Sequence, residues 1–252
     1  MHSVESSVIG IHAVEELLRY EHQQKNIDRI LVAQEKKHPA IGKIIAVAKQ
    51  KKIAVQFVPE VKIEKLAKGK THQGVLAIVT EIDFFTYNQF TEHLKREGKT
   101  ASLIVLLDRI TDVRNFGAIA RSAYVMGADA LLVPDKGSAQ INTDAIKTSS
   151  GALLKIPVCR EQFLTEIIQR IKKDGFQIIA CHEKTAAVIE EVDFKKPTLL
   201  VLGSEHNGIS KEYLRLCDKE VKIPMVNPFD SLNVSVSAGI ALYEIVRQRT
   251  SL

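Results

Sequence analysis

From Ala101 to the C-terminus, short continuous apolar runs alternate with segments of helical periodicity, and this alternation restricts the fold more than any other feature. The runs fall near Leu103–Leu107, Ala130–Val133, Ile156–Cys159, Gln177–Ala180, Thr198–Leu202 and Glu220–Ile223. Between and after them the spacing predicts helices near Phe116–Met126 (with Gly127 as C-cap), Thr143–Ser149, Phe163–Lys173, Lys211–Leu216 and Val234–Arg249. Strands that stay apolar along their length are buried on both faces. The pattern therefore predicts an α/β domain with a parallel sheet and helices on both faces. Ligands of such sheets bind beyond the carboxyl ends of the strands, so the strand-end turns are where function should be sought.

Three of those turns stand out. The first runs from Leu107-Asp108-Arg109 through Asp112-Val113-Arg114-Asn115-Phe116-Gly117 to Arg121-Ser122. The second is Val201-Leu202-Gly203-Ser204-Glu205-His206-Asn207-Gly208-Ile209-Ser210. The third begins Ile223-Pro224-Met225-Val226-Asn227-Pro228-Phe229-Asp230 and ends in a Ser231-Leu232-Asn233-Val234 junction that opens the last helix. Loops packed between strand and helix expose backbone N–H and C=O groups, and three on one chain point to one composite site. Singly, Gly203 and Gly208 read as ordinary turn glycines; the combination implicates them.

Several chemistries lose their best support. Gly203 to Gly208 has the start of a phosphate-binding loop, but Ile209-Ser210 follows where Lys-Ser/Thr is needed. No Gly-x-Gly-x-x-Gly follows a strand, and there is no Gly-x-Ser-x-Gly elbow. The 8 His include no His-Glu-x-x-His, so no metal site is predicted. Cys159, Cys181 and Cys217 are sparse and far apart, which suits buried thiols in a reducing cytoplasm. The apolar runs are strand-length, so neither a signal peptide nor a membrane span is expected.

The formal charge of +5 is unevenly spread. Residues 1–80 hold 13 Lys and Arg against 8 Asp and Glu, whereas residues 81–252 hold 22 of each. The excess, which includes Lys49, Lys51, Lys52, Lys62, Lys65, Lys68 and Lys70, suits a phosphate backbone. A solvated helix face is the competing account. Residues 1–80 read as a small α/β unit. Helical stripes at Ile11, Val14, Leu17, Leu18 and at Ile41, Ile44, Ile45, Ala48 alternate with β-rich runs at Ile30–Ala33, Val55–Val58 and Val75–Val79. With only Tyr20 and Phe57 as aromatics, the unit is expected to bind RNA by charge and shape, if at all. Residues 81–100 read as a linker with a short helix, and Phe84, Phe85, Tyr87 and Phe90 are expected to pack at a domain boundary.

The motifs Asn115-x-Gly117-x-x-x-Arg121-Ser122, Gly203-Ser204-Glu205-x-x-Gly208, and Ile223-Pro224-Met225 followed by Ser231-Leu232-Asn233-Val234 resemble those of the SpoU (TrmH) family of RNA ribose 2′-O-methyltransferases, in the SPOUT class. The resemblance covers about residues 101–252. A weaker one, over about residues 1–80, is to the small substrate-binding domain that precedes the catalytic domain in the ribosomal-RNA branch, a ribosomal protein L30e-like unit. Val113 stands where the family often has Pro, at some cost in loop rigidity. Asn227 stands where it often has Gly, a replacement that tolerates positive φ.

The resemblance implies a deep trefoil knot in the catalytic domain; periodicity alone predicts only a doubly wound, unknotted sheet. It also implies S-adenosylmethionine as cofactor, held by Leu202, Gly203, Ile223, Met225, Ser231 and Leu232, and catalytic roles for Arg121, Asn115, Glu205, Ser231 and Asn233. Read as residues alone, Asn115 can cap the helix at Phe116 and Ser231 can cap the last helix. Arg109 and Arg114 can bind phosphates or be plain surface arginines. Arg121 can clamp phosphate and stabilise alkoxide charge, act as a base where its charge is destabilised, or sit idle on the surface.

The expected activity is S-adenosylmethionine-dependent methylation of a ribose 2′-hydroxyl in structured RNA, on a guanosine of large-subunit ribosomal RNA. The expected state is a cytoplasmic homodimer formed through the catalytic domain, with the apolar face of Val234–Val246 as a candidate contact and no membrane partner. Alternatives are a transfer-RNA or adenosine-targeting resistance methyltransferase, and a non-catalytic RNA-binding ribosome-assembly factor.

Overall fold

In the computed structural model of this protein, residues 7–19, 27–35, 38–79, 82–100, 102–139, 141, 143–227 and 231–250 are described. Tyr20 and Pro228-Phe229-Asp230, named above, lie outside them. The chain divides into two compact units, one of residues 1–83 with 141–144 and one of residues 84–140 with 145–252.

The first unit is built from β1 (Ser7–Ile9), α1 (Ile11–Arg19), β2 (Ile27–Ala33), α2 (Pro39–Gln50), β3 (Ala54–Val58), α3 (Glu60–Ala67) and β4 (Val75–Val79). Its sheet has the order β1-β4-β2-β3. Strand β2 is parallel to β3 and antiparallel to β4, and β1 is antiparallel to β4. The predicted stripes become one core layer, with Val14, Leu17, Leu18, Ile41, Ile44 and Ala48 packed on Ile30, Val32, Val75 and Ala77. On the other face Ile63 of α3 meets Leu31, Ala33 and Leu76. His38 caps α2 by accepting the N–H of Ala40, and Pro39 follows at the first helical position, where its missing N–H costs nothing. Glu60, Glu64 and His72 bring ligand-type atoms within 4.8 Å of one another. However, the Nδ1 of His72 accepts the N–H of Gly74, which puts the ring proton on Nε2, the nitrogen facing Glu60.

The second unit is a sheet of seven strands, every neighbouring pair parallel. Its strands are β5 (Phe84–Phe85), β6 (Leu103–Asp108), β7 (Ala130–Pro134), β8 (Val158–Glu161), β9 (Gln177–Cys181), β10 (Thr198–Gly203) and β11 (Lys219–Val221), in the order β11-β9-β10-β6-β7-β8-β5. The helices are α4 (Tyr87–Arg96), α5 (Val113–Val125), α6 (Thr143–Thr148, whose first two residues divide with the first unit), α7 (Leu164–Lys173), α8 (Lys211–Leu214) and α9 (Val234–Thr250). Ile104, Leu106, Ala130, Ile178, Leu199 and Val201 face a core shared with α4, α7 and α8. Residues of opposite parity, Leu103, Val105, Leu107, Leu200 and Leu202, are buried too. On that side α5 and α9 pack on each other, and α9 packs on β10. Hence the sheet is covered on both faces, as the continuous apolar runs predict.

Two expectations are corrected. Part of the segment read as a linker belongs to the second unit: Phe84 and Phe85 form its edge strand beside β8. Tyr87 and Phe90 are 2% and 1% exposed in its core. Burial of aromatic surface decides this, and polar bonds fix it. The N–H of Tyr87 donates to Glu161 and its hydroxyl to Asp174, and Thr86 with Gln89 forms a capping box. The strand after Leu154 is also displaced, to Val158–Glu161, because Ala152–Leu154 form a 3-10 turn.

Candidate active site

The second and third strand-end turns line one cleft, and the first meets them at its rim through Asn115. Leu202, Gly203, Glu205, Ile223, Met225, Ser231 and Leu232 line it, and His182, Glu183 and Lys184 form a further wall. The cleft is partly open to solvent.

Gly203 ends β10, and a Cβ there would lie 2.2 Å from the carbonyl carbon of Gly208. Only glycine lets these backbones approach so closely. The turn between them is closed by the N–H of Gly208 donating to the carbonyl of Ser204 at 2.8 Å, with Gly208 itself at a φ of +60.

Beneath this turn lies Asp108, the last residue of β6, only 1% exposed. Its carboxylate accepts both the N–H and the hydroxyl of Ser210, each at 2.6 Å. It also accepts Nε and Nη2 of Arg109 at 3.0 and 3.1 Å, while Nη2 reaches the carbonyl of Gly208 at 3.3 Å. Arg109 is therefore an internal clamp holding the second turn to the first. Its two carboxylate bonds engage the guanidinium that the sequence offered as a possible phosphate binder. Asp108 sat within the first motif, but nothing in its spacing distinguished it; the signal was an acidic residue at the end of an apolar strand.

The rim carries a three-residue cluster. Oε1 of Glu205 accepts Nδ2 of Asn115 at 3.2 Å and Nδ2 of Asn233 at 2.6 Å, and Nδ2 of Asn233 also reaches Oδ1 of Asn115 at 3.1 Å. Both capping assignments change here. Asp112 caps α5 by accepting the N–H of Asn115, so the helix begins at Val113. Asn115 lies inside the first turn, with its side chain free to point at Glu205. At the last helix Asn233 takes the capping role, its Oδ1 accepting the N–H of Ser235 at 2.9 Å, while Ser231 lines the cleft. Val113 occupies the first helical position, where Pro is well tolerated. Asn227 is not among the residues with positive φ.

Thus Asn115, Glu205 and Asn233 are joined by hydrogen bonds, and the six predicted cofactor residues share one cleft. Arg121 is not part of the cluster. It is exposed on α5, and among the described residues no side-chain hydrogen bond or ion pair holds it, which is also true of exposed Arg114. Sequence reasoning missed His182, Glu183 and Lys184, which follow β9. Cys181, beside them, has its thiol pushed up to about 12, by burial first and by the charge of Glu183 second. The residues present fit S-adenosylmethionine. Leu202, Ile223, Met225 and Leu232 offer apolar contact, and Gly203 lets the turn to Gly208 close beside them.

Comparison with known proteins converges on one group. A family model described as the SpoU rRNA Methylase family matches residues 102–243, and one described as RNA 2′-O ribose methyltransferase substrate binding matches residues 7–85. A protein described as a TrmH family tRNA/rRNA methyltransferase of Staphylococcus epidermidis is 34% identical over 245 residues, covering 97% of this chain and 96% of the relative. The crystal structure of the A. aeolicus TrmH/SpoU tRNA modifying enzyme is 34% identical with a TM-score of 0.56, covering 64% of this chain and 85% of that one. The SpoU methyltransferase AviRb from Streptomyces viridochromogenes, crystallised with AdoMet, is 24% identical with a TM-score of 0.59, covering 98% and 91%; it shows the shared fold.

Proposed function

The chain belongs to the SpoU (TrmH) family of RNA 2′-O-methyltransferases, which use S-adenosylmethionine, and we propose that it methylates a guanosine ribose of large-subunit ribosomal RNA. The observation that carries this reading is a cleft lined by the second and third strand-end turns, with Asn115 of the first turn bonded to Glu205 and Asn233 at its rim.

When bound, S-adenosylmethionine supplies a methyl group activated by its sulfonium. The chain's part is to hold a ribose hydroxyl in line with that methyl and to stabilise the charge that develops on its oxygen as the hydroxyl proton passes to solvent. Leu202, Gly203, Ile223, Met225, Ser231 and Leu232 hold the cofactor. Glu205 and Asn233 orient the acceptor, with Asn115 as their brace. Arg121 clamps RNA phosphate and stabilises the developing charge. A base role would require its charge to be destabilised by burial, and the side chain is exposed.

Arg121 shares a helical face with Tyr124 and Val125, at spacings of three and four residues. Those two are 41% and 69% exposed, and on α9 Val236, Ile240 and Tyr243 are exposed as well. These exposed apolar residues on two packed helices support a homodimer through this face, in which Arg121 completes the partner's site. By family resemblance the C-terminal segment is threaded as a trefoil knot, and residues 1–80 select the target through their basic charge. Among the described residues no helix is long and apolar enough to cross a membrane; a cytoplasmic location is part of this reading.

The experiment is methyl transfer from labelled S-adenosylmethionine to ribosomal and transfer RNA, followed by mapping of 2′-O-methyl sites in cells with and without the protein. Loss of one mark in large-subunit ribosomal RNA supports the reading. Loss of a transfer-RNA mark moves the substrate to transfer RNA, a class named for the A. aeolicus relative.

A further inference from the structure

We propose that His182, bonded to Glu220, is a positioning residue that fixes two walls of the cofactor cleft against each other; this rests on reading the cleft as the S-adenosylmethionine site. The His182 ring is 11% exposed and follows directly on β9. Its Nδ1 accepts the N–H of Lys184 at 3.1 Å, so the neutral ring carries its proton on Nε2. That Nε2–H donates to Glu220 at 2.8 Å. With both nitrogens engaged, the ring has no spare lone pair for proton transfer. Its work is mechanical.

The bond spans two segments that both reach the cleft. His182, Glu183 and Lys184 form one wall, and β11, which carries Glu220, leads within a few residues to Ile223 and Met225 on the other. Strand β11 has only three residues and lies at the sheet edge, where among the described residues it pairs with β9 alone. So short a ladder restrains its end weakly. Side-chain and loop bonds add what it lacks: the Thr185 hydroxyl donates to the carbonyl of Glu220 at 3.2 Å, and the N–H of Lys222 to the carbonyl of Ala187 at 2.9 Å. The His182 ring joins this seam from the cleft side and sets the turn at Lys184.

Full-length protein with His182→Ala, His182→Asn or His182→Gln tests this by S-adenosylmethionine calorimetry, steady-state kinetics and amide hydrogen exchange. Asn can still accept the Lys184 N–H, and Gln can still donate to Glu220, so each keeps one half of the lock. The alanine variant should raise the cofactor Kd and KM by roughly tenfold, the worth of one to two hydrogen bonds. Its kcat at saturating cofactor and its KM for RNA should hold. Exchange should quicken in both residues 182–188 and 219–225, and the Asn and Gln variants should each recover part of the affinity. Unchanged exchange in those segments, an unchanged cofactor KM, or a fall in kcat alone would overturn the proposal. Should the wild type fail to bind S-adenosylmethionine, the reading of the cleft falls, and the exchange data alone judge the lock.

Discussion

Nδ2 of Asn233 donates to Oε1 of Glu205 at 2.6 Å across 28 residues of chain, tying the turn after β10 to the start of α9. The same Oε1 takes the N–H of Val234 at 3.3 Å and Nδ2 of Asn115 at 3.2 Å. One carboxylate oxygen thus gathers all three motifs at the mouth of the cleft.

Because Glu205 is exposed, removing it leaves donors that water can satisfy. Glu205→Ala is expected to shift unfolding free energy by only about 1 kcal/mol or less, yet lower single-turnover methylation by at least about tenfold through lost positioning. Parallel urea titration and rapid-quench kinetics check this. Equal losses in stability and rate would make Glu205 a structural brace only.

Gly203→Ala behaves in the opposite sense. Its Cβ would meet backbone atoms of Gly208 and Ile209 at 2.2 to 2.4 Å, and no rotamer relieves a clash with backbone. Separating the two strands of the turn should cost about 1–3 kcal/mol and weaken cofactor binding. Thermal unfolding and calorimetric titration measure the two effects; an alanine variant with wild-type melting and affinity contradicts the packing argument.

The parallel sheet was legible in the sequence because strands such as Leu103–Leu107 and Thr198–Leu202 have no polar face to mislead. The cleft was legible because its residues belong to strand-end motifs. Local competition hid the rest. Asp112 and Asn115 are both good caps three residues apart, and the first is chosen because its side chain accepts the amide of the second. Asn233 prevails over Ser231 in the same way. His182 and Glu220 meet because β9 and β11 are neighbours, a pairing that no periodicity encodes. Phe84 and Phe85 form too short a run to declare a strand.

The buried thiols predict a loss of stability in alkali. Burial pushes Cys181 and Cys217 up to about 12 and raises Cys159 as well, whereas an unfolded thiol ionises near about 8.5. Folded values above unfolded ones mean that this stability is complete below pH of about 8.5 and drains away as pH rises toward 12. The urea midpoint should therefore be flat between about pH 7 and 8 and fall above about pH 9. Cys217→Ala should flatten the fall, and an unchanged pH profile in that variant would show that its thiol contributes nothing.

Residues 1–80 carry the whole excess of positive charge, so a fragment beginning at Ile82, ahead of strand Phe84–Phe85, should still bind S-adenosylmethionine. Its RNA affinity should be lower, and log Kd should change less steeply with log salt, because fewer phosphates are neutralised. Filter binding from about 50 to 200 mM salt reads the slope. A slope equal to that of the full chain would place the RNA contacts in the second unit.

Arg121 gives the sharpest test of the active-site reading, because nothing else in the fold depends on it. Its side chain is exposed on α5 and among the described residues makes no hydrogen bond or ion pair, so Arg121→Ala should leave melting temperature and cofactor affinity close to wild type. A group that stabilises charge chiefly in the transition state should still cost roughly a hundredfold or more in turnover. Arg121→Lys should rescue poorly, since an ammonium cannot reproduce the planar fork that grips a phosphate at two points. The proposed dimer adds a second signature. Mixing Arg121→Ala with Glu205→Ala protein in equal amounts should form heterodimers in which one of the two sites holds both residues, and with random exchange the mixture should return toward roughly a quarter of wild-type activity, since about half of the dimers are heterodimers. Single-turnover methylation at saturating cofactor and RNA, on each variant and on the mixture, decides both points. Wild-type turnover in the alanine variant would make Arg121 a surface arginine, and an inactive mixture of subunits shown to have exchanged would put Arg121 and Glu205 to work within one subunit.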